Sequence, residues 1–80
     1  MLVQEASGAM AEALTTSLRL LETDPLQEQA VRTAMRAFCH LGQRNAALEL
    51  YHHAEKTLDE ELEVPPENET RLLYQAILEG

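Results

Sequence analysis

The stretch GQRNAALELYHHAE, residues 42–55, opens on a glycine and places Ala47, Tyr51 and Ala54 five, nine and twelve residues after it. Steps of four and three bring those three side chains onto one face of a helix. Shifted back by thirty-four residues, the chain reads GAMAEALTTSLRLLE, with Gly8 beneath Gly42, Ala13 beneath Ala47 and Leu14 beneath Leu48. The spacing recurs, so the stretch reads as one unit of a helical repeat.

Composition agrees with an all-α chain. Hydrophobic residues make up 45 % and charged residues 25 %, in the globular range. The three glycines are isolated, and two of the three prolines are adjacent at Pro65 and Pro66, so few positions can break a helix. Eighty residues make at most one small domain, which buries only about 60 % of the surface its unfolded chain exposes. No apolar run approaches a membrane span, and the first residues carry acid where a signal peptide would carry base, so a soluble chain without a membrane contact is expected. A single cysteine forms no internal disulfide and fits a reducing cytoplasm. Six Lys and Arg against fourteen Asp and Glu give a formal charge of −8. Such a segment gains nothing from counterion release on a phosphate backbone, so direct nucleic-acid binding is not expected.

Four helices follow from the punctuation. The first carries Leu2, Ala6, Met10, Ala13, Leu14, Leu18 and Leu21, with a break expected at Gly8. Asp24-Pro25 opens the second, Asp24 as the cap, Pro25 in the first helical position and Gln27 at capping-box spacing. That helix presents Leu26, Ala30, Val31, Ala34, Met35, Phe38 and Leu41, a stripe wide enough for two neighbours, and ends at Gly42. The third runs through Ala47, Leu50, Tyr51, Ala54, Leu58 and Leu62 to Val64-Pro65-Pro66. A fourth begins at Glu67 or Asn68, carries Leu72, Leu73, Ala76 and Ile77, and is too short to stand without docking.

A period of thirty-four with a turn glycine and a small residue five later resembles tetratricopeptide (TPR) helical pairs. On that resemblance the architecture is a set of antiparallel helical hairpins in a right-handed repeat arrangement. Residues 1–24 form the second half of one repeat and residues 25–63 a full pair. Met35 stands where TPR pairs usually carry a small residue, and Val31 where a large aromatic is common.

A narrower resemblance lies in the order of short pieces: Asp24-Pro25-Leu26 with Glu28, Met35-Arg36-Ala37, Leu41-Gly42 with Arg44, Ala47-Leu48, Tyr51, Leu58 with Glu61-Leu62, Val64 with Pro66, Glu69-Thr70, Leu73-Tyr74 and Ile77-Leu78. Together they resemble the bacterial transcriptional activator domain, the TPR-like module of antibiotic-regulatory-type activators, over residues 13–80. Two departures fall at the last loop: Glu63 replaces a usual Gly and Glu67 a usual capping Ser. The resemblance implies a single domain over residues 1–80, without catalytic activity or cofactor. It acts in a transcription regulator whose winged-helix DNA-binding domain is separate. The chain is then a piece of a larger regulator or a free-standing relative that starts at Met1. The rival reading is a generic TPR-like scaffold or adaptor unconnected with transcription.

Cys39-His40 and His52-His53 are two pairs at ligand-like residue types, but neighbours on a helix diverge by about 100°, so only a cross-pair such as Cys39 with His53 could share an ion. No metal site is expected. Cys39-His40 is also the sole nucleophile and base in sequence proximity, with no Gly-rich segment to build an oxyanion site, and no enzyme activity is expected. Phe38 and Tyr51 fall on apolar stripes and read as core. Asp59, Glu60, Glu61 and Glu63 read as a solvated helix end, poorly placed against the helix dipole.

Arg32, Arg36 and His40 step by four along the second helix and form the one basic stripe of an acidic chain. If the TPR resemblance holds, that face with Gln29 lines the groove that takes a protein partner's carboxylates. The plainer alternative is a solvated face with Glu28 paired to Arg32, a pair that contributes only about 0.3–0.5 kcal/mol. The cut first repeat leaves apolar surface on the first helix, which a second copy in a homodimer or an adjoining domain would cover.

Overall fold

The computed structural model describes the backbone of residues 2–80 and the side chains of residues 8–80. The expected positions Leu2 and Ala6 lie outside the described side chains. Four helices follow one another: α1 (Leu2–Thr23), α2 (Glu28–His40), α3 (Arg44–Leu62) and α4 (Asn68–Glu79). Each packs on its predecessor, and α4 also touches α2. The result is an all-α stack of antiparallel hairpins measuring 45 × 30 × 17 Å.

The two faces of α2 explain the stack. Ala30, Ala34 and Ala37 are buried and small. Ala30 and Thr33 share a shallow groove with Ala13 and Ser17 of α1. On its other side α2 buries Val31 and Met35 in a cluster with Ala47, Tyr51 and Ala54 of α3 and Ile77 of α4. Met35 is 0 % exposed and fills the position where a small residue was the usual choice. Ala47 of α3, also 0 % exposed, belongs to the same cluster, so a small residue there offsets the larger Met35. Phe38 and Tyr51 both belong to this core, as their register predicts.

Two helix starts differ from the sequence reading. The break expected at Gly8 is absent: α1 runs through it without interruption. One glycine in a long amphipathic helix costs about 1 kcal/mol relative to Ala, which the packing of the remaining turns outweighs. The 34-residue correspondence therefore holds for helix faces and fails for the turn. The second correction concerns Asp24-Pro25, which does not begin α2. Asp24 Oδ1 instead accepts the Leu26 N–H at 3.3 Å, closing a local turn, and the helix starts at Glu28 with Gln27 as its N-cap.

The α2–α3 turn is built as expected. Gly42 takes φ +78°. Its N–H reaches the Cys39 carbonyl at 3.1 Å, and the Gln43 N–H reaches the Phe38 carbonyl at 2.7 Å, which together complete a Schellman motif. At the end of α3 the left-handed position falls to a residue with a side chain: Glu63 has φ 55° and ψ 40°. From Val64 to Glu67 the chain is irregular, and Glu67 itself is extended at φ −60° and ψ 156°. Pro66 is buried. No helix among the described residues is long and apolar enough to cross a membrane.

Candidate partner-binding face of α2

The basic stripe of α2 does not act as a unit. Arg32 is drawn against α4, its side chain only 13 % exposed. Its Nη1 donates to Thr70 Oγ1 at 2.9 Å and to Glu67 Oε1 at 3.0 Å, and its Nη2 lies 3.7 Å from Glu69 Oε2. The expected Glu28–Arg32 partnership is indirect. Glu28 Oε1 accepts the Thr70 hydroxyl and the Glu67 backbone N–H, both at 2.8 Å, so the two side chains meet through Thr70. Thr70 is 1 % exposed and uses its hydroxyl as both donor and acceptor.

This arrangement supplies what the α4 sequence lacks. Glu67 makes no side-chain capping bond of its own. The first backbone N–H groups of a helix need acceptors, and a carboxylate there also meets the positive end of the helix dipole. Glu28, reaching across from α2, fills that role. At the opposite end of α4, Arg44 donates from Nε to the Ile77 carbonyl at 2.8 Å and from Nη2 to the Leu78 carbonyl at 2.6 Å. A cation thus meets the negative end, and α4 is clamped at both termini by side chains of other helices.

The remaining members of the stripe point elsewhere. Arg36 and His40 are exposed. Neither makes an ion pair or side-chain hydrogen bond with any described residue. Gln29 is also exposed but lies beside the α1–α2 groove, next to Glu12, Thr16 and Leu20. The structure therefore leaves Arg36 and His40 exposed on α2, places Gln29 beside a neighbouring groove and commits Arg32 to the fold.

Cys39 and His53 are separated by the hairpin. Cys39 sits beside the start of α3 with Arg44, Ala76 and Ile77, whereas His53 lines the α1–α3 groove with Leu18, Leu21 and Leu50. Arg44 and His53 are nine steps apart along α3, roughly 13 Å at the helical rise. The cross-pair cannot share an ion. Among the described residues no group of three His, Cys, Asp or Glu side chains could hold a metal.

An aromatic contact that no spacing in the sequence signals joins α3 to α4. Tyr51 stacks on Tyr74 of α4 with ring centroids 4.0 Å apart and an interplanar angle of 11°. The Tyr74 hydroxyl lies 3.2 Å from His52 Nε2. Burial first, and the Glu55 carboxylate next, push the Tyr51 phenol above its ordinary value of 10.0. The signal for the α4 clamp was present in the sequence as the missing capping residue at Glu67; the identity of its replacement was not, because Glu28 lies thirty-nine residues away.

These features define a class: an all-α helical-hairpin module whose last helix is held by polar clamps and whose second helix carries Arg36 and His40 exposed, without a side-chain partner among the described residues. The chain belongs to the bacterial transcriptional activator domain family, whose family model matches residues 2–78. It is a transcription-regulator domain. No curated protein and no solved structure matches it significantly.

Proposed function

We propose that this chain is a non-enzymatic protein-interaction and self-association module of a bacterial transcription regulator. It works as part of a longer cytoplasmic polypeptide whose DNA-binding segment is separate. The observation that carries the reading is the division of labour on α2. Arg32 is spent inside the fold, while Arg36 and His40 remain solvated and unpaired with described side chains. An arginine free to make two parallel hydrogen bonds suits a partner carboxylate. Family membership favours this reading over a scaffold unconnected with transcription. Self-association draws support from α1, where Leu18 and Leu20 are exposed apolar side chains in two separate grooves that a second copy could cover. The formal charge of −8 argues for a protein partner, including the transcription machinery, over direct contact with DNA.

The reading frame around the coding sequence tests this. The expected result is a contiguous coding segment of roughly a hundred residues with a basic recognition helix. A closed frame on both sides with no DNA-binding segment would return the chain to the class of free-standing adaptors.

A further inference from the structure

We propose that the groove between α1 and α2 is a docking site for one basic amphipathic helix of a partner protein, seated there as α2 is seated on α3 and α4. Two registers relate the halves of the molecule. A shift of thirty-four residues sets Ala13, Ser17 and Leu20 of α1 on Ala47, Tyr51 and Ala54 of α3. The N-caps Gln27 and Glu67 lie forty residues apart, which sets Gln27 and Ala30 on Glu67 and Thr70. In the second half, α2 covers every one of these positions. Its Val31 and Met35 share one cluster with Ala47, Tyr51 and Ala54, and its Glu28 and Arg32 hold Glu67 and Thr70. In the first half, the counterparts Ala13, Ser17, Leu20, Gln27 and Ala30 all line one open groove of about 620 Å³. The same seat occurs twice, once filled by a helix and once open.

The open seat also holds an unmet polar group. Ser17 is 4 % exposed. The hydroxyls of Thr15 and Thr33 bond back to carbonyls one turn earlier, whereas that of Ser17 makes no hydrogen bond with any described residue and opens into the groove. A buried hydroxyl without a partner costs stability that an incoming donor or acceptor restores. Size and charge define the occupant further. Where α3 offers Tyr51, α1 offers Ser17, and with Ala13 and Ala30 beside it the floor is small enough for helix axes to approach to about 8–10 Å. The entering helix therefore supplies the apolar bulk. Leu20, 44 % exposed, adds apolar contact. Glu12 is the one charged side chain lining the groove, so a Lys or Arg on the entering helix complements it. Arg36 and His40 do not line this groove, so the inference goes beyond the face proposed above, and failure of either leaves the other to its own experiment.

The probe is a helix-stapled peptide with the sequence of residues 25–42 and Cys39→Ser, because it carries the apolar stripe of α2 together with Arg32 and Arg36. It is titrated into the isotope-labelled chain and followed by amide chemical shifts. The expected result is saturable binding, with the shift changes centred on Ala13, Ser17, Leu20 and Ala30. Leu20→Glu and Glu12→Lys in the chain should each weaken binding at least about tenfold while the far-UV circular dichroism stays unchanged. A second peptide that also carries Arg32→Glu and Arg36→Glu should reverse the preference and bind the Glu12→Lys chain at least about tenfold more tightly than wild type. A purely structural role for Glu12 gives no such reversal. The proposal is overturned by a titration that does not saturate at millimolar peptide, by equal affinity for the wild-type and Leu20→Glu chains, or by shifts centred on the α3–α4 interface. It is overturned as well if sedimentation finds the wild-type chain dimeric and the Leu20→Glu chain monomeric, since the groove then belongs to a second copy.

Discussion

Two residues sit in left-handed backbone at comparable places, one after α2 and one after α3, and only one of them is glycine. Gly42 adopts φ +78° with open space where a Cβ would point, so its need for glycine is conformational and not steric. Gly42→Ala should destabilise the chain by about 1 kcal/mol, and Glu63→Gly should stabilise it by about the same amount, both read as shifts in the urea midpoint. The second substitution loosens the unfolded chain as well, which trims the gain. Tyr51 gives a prediction in pH. A phenol whose folded value is raised favours the protonated folded state, so its contribution is whole below the unfolded value near 10 and is lost as pH rises through the raised folded value. Alkaline unfolding of wild type should therefore begin at lower pH than that of Tyr51→Phe, followed by circular dichroism. Coincident alkaline transitions would count against this.

The helices themselves show what is legible in a sequence. Stripes of threes and fours in α2 and α3 located the core, because a buried face has to repeat with the helical period whatever its neighbours are. Gly42 and the paired prolines located two ends for reasons confined to their own backbones. Starts were harder. Asp24 could cap a helix or close a local turn, and both use the same carboxylate on nearby N–H groups. Gly8 reads as a break in a repeat and as a tolerated residue in a long helix. Since nothing lies within 4 Å of a Cβ built there, Gly8→Ala should stabilise the chain by up to about 1 kcal/mol. The candidate site was half legible. Spacing alone placed Arg32, Arg36 and His40 on one stripe, but which arginine faces α4 depends on a docking geometry that spacing does not contain. The α4 clamp carries its own test at this scale. Thr70→Val leaves Glu28 and Arg32 each short of a partner in a largely buried setting and should cost about 1–3 kcal/mol. Amide exchange should accelerate in α4 more than in α2, and uniform acceleration would contradict a local clamp.

For the whole molecule, the stack separates stability from recognition. The clamps on α4 occupy Arg32, Arg44, Glu28 and Thr70, while Arg36 and His40 stay exposed on α2 without a partner among the described residues. Reversal at Arg32 would therefore confuse loss of fold with loss of partner. Reversal at Arg36 does not touch the core. The most direct measurement of the central claim is transcript profiling in the native host, comparing wild type, a deletion of the coding sequence, and a chromosomal Arg36→Glu, His40→Gln replacement. Protein level and thermal midpoint of the replaced chain are checked alongside. The account predicts that the replacement reproduces the transcript changes of the deletion while stability and abundance stay at wild-type values. A wild-type transcript profile in the replacement strain, or a deletion that alters no transcripts, would contradict it.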